Sequence, residues 1–247
     1  MAIPRVINGA FANEDNGEEI LTVVTEEGMV VFRRGRLLLS LYWRVKRAFD
    51  ILFSALVLLL LSPLLLLVAI LVKLDSRGPV IFRQQRIGRD RRNGNSVRFN
   101  RTDRRQVNRK GKPFTICKFR TMRVNSPKYA TTPDEDSDPR LTRVGRVLRR
   151  TCIDELPQLF NVLNGDMSFV GPRPEMPFIV QTYNSLHCRR LQVKPGLTGL
   201  WQLRASRKVP IHKNLHYDLH YIKRQSLWLD FKIIAQTLLF ALSRKNL

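Results

Sequence analysis

The sequence is poor in cysteine and in acidic residues. Its three cysteines, Cys117, Cys152 and Cys188, are widely spaced and form no C-x-x-C pair. An odd, scattered set excludes a disulfide scaffold and a zinc module, and it is typical of a reducing compartment. Aspartate and glutamate number 20 against 43 lysines and arginines, which gives a formal net charge of +23. This excess predicts anionic partners: nucleic acid, acidic lipid or a phosphorylated substrate.

The common phosphate-binding loops are also missing. The chain contains neither G-x-x-x-x-G-K-[ST] nor G-x-G-x-x-G, so neither of the usual nucleotide cradles is predicted. A signal peptide is not predicted either, because no apolar region with a small-residue cleavage site follows the start. Hydrophobic residues nevertheless make up 44% of the chain, which is enough for a core and excludes global disorder.

Charge is distributed unevenly along the chain. Residues 1–32 contain six acidic side chains and one arginine, which leaves 42 basic and 14 acidic residues, a charge of +28, in the rest. We interpret residues 1–36 as an N-terminal tail with short strands at Leu21–Val24 and Met29–Phe32 around a Glu-Glu-Gly turn. Anionic partners are therefore expected to bind the body of the protein.

The longest hydrophobic run, Ile51–Val72, has 22 residues and no charge, which is enough to cross a bilayer. Both of its flanks are basic, and lysine and arginine beside a membrane segment favour the cytoplasmic side. Both ends can stay on that side only if the segment enters the membrane and returns. The basic residues are Arg33, Arg34, Arg36, Arg44, Lys46 and Arg47 before the run, and Lys73, Arg77, Arg83, Arg86 and Arg89 after it.

Ser62 and Pro63 lie at the middle of this run. Proline removes a backbone donor and clashes with the preceding turn, so a sharp kink is expected, and the Ser62 hydroxyl can serve as partner for a freed backbone group. The charges favour a re-entrant membrane helix within residues 37–75. An ordinary spanning helix with a tolerated proline kink stays as the alternative.

Residues 76–247 have the pattern of a domain at the membrane surface. Strand-like runs at Pro79–Phe82 and Pro113–Phe119 predict a hairpin whose tip is a basic insertion, residues 91–108. Ten basic and two acidic residues lie between positions 89 and 112, so the insertion either lies near phosphate groups or is simply a solvated loop. Prolines and acidic residues predict a further loop over 125–139.

Helical patterns follow at 141–150, 156–163 and 228–240. The last is amphipathic and aromatic, so it either lies in the membrane interface or packs on the domain. Together these elements predict an α+β membrane-associated fold: a re-entrant membrane helix, a short β-hairpin and a helical domain with amphipathic interface helices.

Asp154 and Glu155 are adjacent at a predicted helix start, where Pro157 suits the first turn and an acidic residue suits the dipole. Helical neighbours point about 100° apart, so the two carboxylates cannot form a face-to-face acid pair. They can instead act differently on one phosphate, one attacking phosphorus and one holding a metal ion. The alternative is that they only cap the helix.

Cations surround this pair in the sequence and favour the phosphate hypothesis. Lys118 and Arg120 end a strand, and Arg173 lies between Pro172 and Pro174, which fix its backbone. A cluster of this kind suits a pyrophosphate substrate, where cations and Mg²⁺ offset charge on the leaving phosphate. Four more arginines lie just upstream: Arg143, Arg146, Arg149 and Arg150.

Over residues 44–243 the chain resembles the bacterial sugar transferase family, the monotopic polyprenyl-phosphate phosphoglycosyl transferases. Several long motifs carry the resemblance, in the family's order: KRAFDILFS with the later Ser-Pro, RGPVIFRQQRIG, KPFTICKFRTM, DPRLTRVGRVLRRTCIDELPQLFNVLNGDMSFVGPRPE, VKPGLTGLWQL and YDLHYIKRQSLWLDFKIIAQTLL. The chain resembles the small catalytic form, because it has a short leader where larger relatives have a four-helix membrane domain.

The resemblance implies transfer of a sugar-1-phosphate from a UDP-sugar to undecaprenyl phosphate, with release of UMP, as the first membrane step of surface polysaccharide or glycoconjugate assembly. Asp154 would be the nucleophile that forms a covalent aspartyl-phosphosugar intermediate, and Glu155 would hold Mg²⁺. Substrate contacts are expected from Lys118, Arg120, Arg149, Pro172, Arg173 and Pro174. The membrane helix is expected to break at Ser62 and Pro63.

The resemblance also implies partners and location. The partners are a UDP-sugar, undecaprenyl phosphate and membrane lipid, with no nucleic acid expected, while a homo-oligomer stays open. The catalytic domain, residues 76–247, is expected at the cytoplasmic face of the bacterial inner membrane. The family's Gly-Arg after Trp-Gln is absent, and either Arg204 or Arg207 can take its place. The competing hypothesis is a membrane-tethered basic protein that binds nucleic acid or acts as a scaffold without catalysis.

Overall fold

The computed structural model describes residues 12–15, 18–25, 28–90, 110–127, 138–204 and 214–242, with side chains placed from residue 40 to residue 240 of these ranges. The basic insertion at 91–108, most of the predicted 125–139 loop and Arg207 lie outside the described residues. The described fold mixes helices and strands, with one long apolar helix and a short antiparallel hairpin.

The N-terminal tail forms an antiparallel sheet of three strands, β1 (Ala12–Asp15), β2 (Glu18–Thr25) and β3 (Gly28–Gly35), in that order. The two predicted strands are confirmed as parts of β2 and β3. Thr25 pairs with Gly28 at their shared end, as expected for strands joined by a Glu-Glu-Gly turn.

The apolar run lies in one 40-residue helix, α1 (Arg36–Asp75). The helix continues through Pro63, so the Ser62–Pro63 pair does not end it. Pro63 has no N–H for the carbonyl of Leu59, and the Ser62 hydroxyl donates to that carbonyl instead, at 2.8 Å. The prediction that Ser62 provides a partner for a freed backbone group is therefore confirmed.

Both halves of α1 pack against the rest of the protein. Its N-terminal half packs through Phe53, Val57 and Leu58 on the main hydrophobic core. Its C-terminal half packs through Val68 and Val72 on a second core. Its other side is exposed and apolar, and among the described residues α1 is the one helix long and apolar enough to cross a membrane. The exposed side chains include Leu52, Leu56, Leu59, Leu60, Leu66, Leu67, Ile70 and Leu74.

The predicted hairpin is confirmed. Strand β4 (Ile81–Ile87) pairs antiparallel with β5 (Pro113–Phe119), and Ile81 faces Phe119 across the pair. The first strand is longer than the apolar pattern predicted, because polar residues from Arg83 to Arg86 continue the pairing where only one face is covered.

The remaining elements form the body around the hairpin. They are α2 (Arg143–Thr151), a 3₁₀ helix (Ile153–Gln158), α3 (Leu159–Asn164), β6 (Ser168–Val170), α4 (Pro177–Gln181), α5 (Ser185–Cys188), a second 3₁₀ helix (Arg189–Gln192), β7 (Gly196–Thr198), α6 (Leu200–Arg204), α7 (Leu215–Arg224) and α8 (Leu227–Leu242). Strands β6 and β7 are parallel. The main core includes Phe114, Leu159, Met167, Tyr221 and Ile233.

The helix predicted over 156–163 is present in two pieces. Its first part belongs to the 3₁₀ helix, which contains Pro157, and its second part is α3. Proline has no N–H to donate, which favours the tighter, shorter helix at this point. The amphipathic C-terminal helix is confirmed as α8. Its inner face packs in the main core, while Trp228, Phe231, Leu238 and Leu239 are exposed.

Candidate active site

The two adjacent carboxylates lie where α2 turns into the 3₁₀ helix. Cys152 ends α2 in the left-handed conformation, with φ at 57°, a turn that glycine usually makes. Asp154 and Glu155 then occupy the first turn of the 3₁₀ helix, so the predicted helix start is confirmed. Ile153 packs in the same core as Val68 and Val72 of α1. The carboxylates therefore lie one residue from the contact with the apolar helix.

Asp154 is a buried residue whose carboxylate accepts no hydrogen bond from the described residues. The residue is 9% exposed, and no group in the described part of the chain donates a hydrogen bond to its side chain. Burial raises the pKa of Asp154 to about 6; the positive charge of Lys118 opposes the rise, and the negative charge of Glu155 adds to it. The group is thus ionised above about pH 6, with its oxygens free to react.

The carboxylate of Glu155 is held by two cations. Its Oε1 accepts from Lys118 Nζ at 2.5 Å and from Arg173 Nη2 at 2.8 Å. Burial alone would raise the pKa of Glu155, but the charges and hydrogen bonds of Arg173 and Lys118 outweigh it and hold this pKa well below its usual range. The charge of Glu155 in turn raises the pKa of Arg173. Glu155 therefore stays ionised.

The structure brings Lys118, Arg173 and the carboxylate pair together, as the sequence predicted. Lys118 comes from β5 and Arg173 from the extended segment after β6. Arg149 in the last turn of α2 is near enough for its charge to lower the pKa of Asp154. Pro172 and Pro174 are buried on either side of Arg173. Three side chains thus surround the pair with positive charge, which is the environment that phosphate requires.

Arg120 lies elsewhere. It is 5% exposed, and its guanidinium donates to backbone carbonyls at the C-terminal end of α1, those of Val72, Ser76 and Arg77. Val72 lies in the last turn of α1, and Ser76 and Arg77 directly follow the helix, so Arg120 ties the end of α1 to the hairpin. Arg204, at the end of α6, accepts a bond from Tyr217 Oη through its carbonyl at 3.4 Å.

The sequence interpretation did not identify the buried residues behind Arg173. Arg190 is 3% exposed, and its Nη2 donates to the carbonyl of Arg173 at 2.9 Å. The same guanidinium contacts Tyr183, Glu175 and Asp218. No sequence signal separates Arg190 from its neighbour Arg189, because only the tertiary packing decides which of the two is buried.

A divalent cation fits this site only together with substrate. Within the described ranges no group of three or more His, Cys, Asp or Glu side chains could hold a metal. Mg²⁺, however, is commonly held by one or two carboxylates plus substrate phosphates. The carboxylate of Asp154, which accepts no hydrogen bond from the described residues, and the Oε2 of Glu155, which accepts a long bond of 3.4 Å from Arg173 Nη1, provide such oxygens. The donors present fit an ion shared with a phosphate ligand.

Known proteins are similar to this chain over most of its length. The family model described as bacterial sugar transferase matches residues 41–244. The chain is 41% identical over 201 residues to UDP-glucose:undecaprenyl-phosphate glucose-1-phosphate transferase of Escherichia coli K12, covering 78% of this chain and 39% of that protein.

Two further relatives are named for different functions. The UDP-N-acetylgalactosamine-undecaprenyl-phosphate N-acetylgalactosaminephosphotransferase of Aeromonas hydrophila is 39% identical over 204 residues, covering 80% of this chain and 44% of that protein. The exopolysaccharide production protein ExoY of Sinorhizobium fredii is 38% identical over 208 residues, covering 78% of this chain and 83% of that protein. The chain spans about two fifths of the length of the first two relatives. Because the family model matches residues 41–244, well over half of the chain, the chain belongs to the bacterial sugar transferase family.

Proposed function

We propose that this protein transfers a sugar-1-phosphate from a UDP-sugar to undecaprenyl phosphate and releases UMP, through a covalent intermediate on Asp154. The observation that carries the proposal is Asp154, a buried residue whose carboxylate accepts no hydrogen bond from the described part of the chain although Lys118, Arg149 and Arg173 lie around it. The E. coli and A. hydrophila relatives, both named as undecaprenyl-phosphate transferases, support the same reaction class.

In the first step an Asp154 oxygen attacks the phosphorus that carries the sugar. A bond forms between that oxygen and phosphorus, the bridging P–O bond of the diphosphate breaks, and the electron pair leaves with UMP. In the second step an oxygen of undecaprenyl phosphate attacks the same phosphorus, the acyl-phosphate bond breaks, and the Asp154 carboxylate is regenerated. A carboxylate that is already ionised needs no general base for this chemistry.

The cations that now hold Glu155 would bind the diphosphate. Arg173 has five N–H donors and Lys118 has three, so both can keep Glu155 and still donate to phosphate oxygens. Glu155 fixes their positions before substrate arrives, which favours stabilisation of charge without reorganisation. Bound Mg²⁺, held by Glu155 and substrate phosphates, would offset the charge that develops on the leaving UMP.

Membrane attachment through α1 and α8 fits a lipid acceptor. Both halves of α1 pack on the same domain, through Phe53 at one end and Val72 at the other, while the opposite face is apolar and exposed. We propose that this face dips into one leaflet and that both ends of α1 stay at the cytoplasmic surface of the inner membrane. The exposed Trp228 and Phe231 of α8 would lie in the same interface.

The activity test uses the purified chain in nanodiscs with Mg²⁺, undecaprenyl phosphate and a set of UDP-sugars, and measures UMP. We expect UMP release with at least one donor, dependent on the lipid acceptor, and a sugar-phosphate adduct on a peptide that contains Asp154. Trapping of the adduct on another residue would reassign the nucleophile. A scaffold or a nucleic-acid binder would release no UMP with any donor.

The topology test places a single cysteine near residue 10 in an otherwise cysteine-free protein. We expect no labelling from the periplasmic side of intact cells. Pro63→Ala restores the backbone donor and removes the clash, so a straighter 22-residue segment becomes long enough to span, and a mixture of topologies is expected. Periplasmic labelling of the wild-type background would contradict the re-entrant arrangement.

A further inference from the structure

The segment that presents Arg173 is held through its carbonyl groups. The segment is Pro172–Glu175, and two of its four residues, Pro172 and Pro174, have no N–H to donate. Each of the four carbonyls instead accepts one hydrogen bond from outside the segment. The Pro172 carbonyl accepts from the Gly196 N–H at 2.9 Å, and the Arg173 carbonyl accepts from Arg190 Nη2 at 2.9 Å. The Pro174 carbonyl accepts from Arg86 Nη1 at 3.2 Å, and the Glu175 carbonyl accepts from the Ile87 N–H at 3.0 Å.

The bond from Arg190 differs from the other three in its position. It is made to the carbonyl of Arg173, the residue whose side chain reaches Glu155. A cavity of about 10 Å³ lies between this segment and Arg190, lined by Pro172, Pro174, Tyr183 and Leu191 among others. Beside this small cavity, the hydrogen bond from Arg190 Nη2 holds the carbonyl of Arg173 in place.

Arg190 is itself fixed by three partners. Its Nη1 donates to Tyr183 Oη at 2.5 Å and lies 3.5 Å from Glu175 Oε1, while its Nη2 lies 2.9 Å from Asp218 Oδ2. All four side chains are nearly fully buried. The planar fork of a guanidinium can reach all these oxygens and the Arg173 carbonyl together, which the single ammonium of lysine cannot.

We infer that Arg190 is a positioning residue for donor binding: anchored by Tyr183, Glu175 and Asp218, it holds the backbone of Arg173 so that the Arg173 side chain faces the carboxylate pair. It acts on the nucleotide sugar only through Arg173. The inference rests on the proposed function for the identity of the ligand, but its structural part, the fixed Arg173 segment, does not.

The ligand test is a double-mutant cycle on the affinity for UDP, measured by calorimetry on the full chain in nanodiscs. Arg173→Lys and Arg190→Lys should each weaken UDP binding about tenfold, the usual size for a hydrogen bond to a charged group. Because Arg190 acts through Arg173, the double variant should also be only about tenfold weaker. A double variant about a hundredfold weaker, or an Arg190→Lys protein with unchanged affinity, would overturn the inference.

Hydrogen exchange tests the structural part without any ligand. Arg190→Lys should speed exchange in the 171–176 peptide about tenfold and leave distant peptides unchanged. Lys46→Met is the matched control, because it breaks another buried ion pair, Lys46 Nζ to Asp230 Oδ2 at 2.7 Å, and neither residue hydrogen-bonds to 171–176 in the described part of the chain. It should lower stability without changing exchange in 171–176 or the affinity for UDP.

If Arg190→Lys does not fold, Tyr183→Phe tests the positioning role of Arg190 instead. This variant keeps the ring and removes only the hydroxyl that accepts a hydrogen bond from Arg190. We expect about threefold weaker UDP binding and faster exchange in 171–176. Unchanged exchange in this folded variant would overturn the inference. A wild-type protein that binds no UDP would refute the proposed function, and the exchange result would still judge the role of Arg190.

Discussion

Two buried clusters of carboxylates and cations differ in how their aspartates are satisfied. Asp230 of α8 accepts three hydrogen bonds, from Tyr42 and Lys46 of α1 and from Tyr221 of α7, at 2.7–3.0 Å. Asp154 is similarly buried and accepts none from the described residues. Burying a charge without partners is unfavourable. The first cluster thus holds helices together, and the second holds the proposed nucleophile at a cost in stability.

Removing the charge of Asp154 is the most direct test of the difference between Asp154 and Asp230. We expect Asp154→Asn to abolish UMP release, a loss of at least about a thousandfold, because the amide cannot attack phosphorus. Membrane association and fold should be retained. Asp230→Asn is the matched control, and its folded fraction should keep its turnover. An Asp154→Asn protein within about tenfold of the wild-type rate would rule out the nucleophile.

Glu155 lies between the two cases, because it is both paired with cations and next to the proposed nucleophile. Glu155→Gln leaves Lys118 and Arg173 without their anion and removes an oxygen ligand, so we expect about a hundredfold lower turnover or a much higher Mg²⁺ requirement. The measurement is a Mg²⁺ titration of UMP release, with EDTA silencing the wild type.

A surface carboxylate provides the control for Glu155. Asp166→Asn breaks an ion pair with Lys112 that is partly exposed, 3.3 Å long, and should leave the titration unchanged. If Glu155→Gln had the wild-type rate and the wild-type Mg²⁺ dependence, Glu155 would have neither role.

Breaking the hydrogen-bonded cluster around Asp230 should lower the stability of the fold and leave the rate of UMP release unchanged. Asp230→Asn leaves the Lys46 ammonium buried without its anion, so we expect a loss of about 3 kcal/mol in the free energy of unfolding. Urea denaturation followed by circular dichroism measures it. Asp138→Asn, which breaks an ion pair with Arg140 near the surface, should shift the midpoint far less. Equal shifts would mean that the Asp230 cluster does not tie α1 to the domain.

Local patterns were enough to predict much of the fold. The hairpin follows from two short strand-like runs, the second of which is Pro113–Phe119. The hydrogen bond from Ser62 to the Leu59 carbonyl follows from Pro63, because a proline leaves the carbonyl four residues before it without a donor. The start of the 3₁₀ helix at the carboxylate pair follows from acidic residues before Pro157. Each of these features is decided within one turn or one strand, so sequence spacing alone determines it.

Features decided by tertiary packing could not be predicted in the same way. Arg120 follows the last residue of β5, so the alternation of side chains along a strand no longer fixes its direction, and it turns to the end of α1. The role of Glu155 as partner of two cations depends on residues 37 and 18 positions away. The burial of Arg190 depends on α7, which provides Asp218.

The smallest expected effect is the stability cost of keeping Asp154 unpaired. Its folded pKa of about 6 is above the usual value of 3.8, so the folded state binds this proton more tightly than the unfolded chain. At pH 8 the ionised group therefore destabilises the fold, by up to about 3 kcal/mol for about two pKa units, and this penalty disappears as the pH falls from about 6 to about 4.

Asp154→Asn removes the charge at every pH. We expect this variant to be about 1–3 kcal/mol more stable than the wild type at pH 8 and equal to it near pH 4, in urea denaturation at both values. Turnover of the wild type should fall about tenfold per pH unit below pH 6, because only the ionised carboxylate attacks. Asp230→Asn should be less stable than the wild type at pH 8, the opposite sign, because its carboxylate has all its partners. A destabilised Asp154→Asn protein at pH 8 would mean that Asp154, like Asp230, serves to hold the fold together.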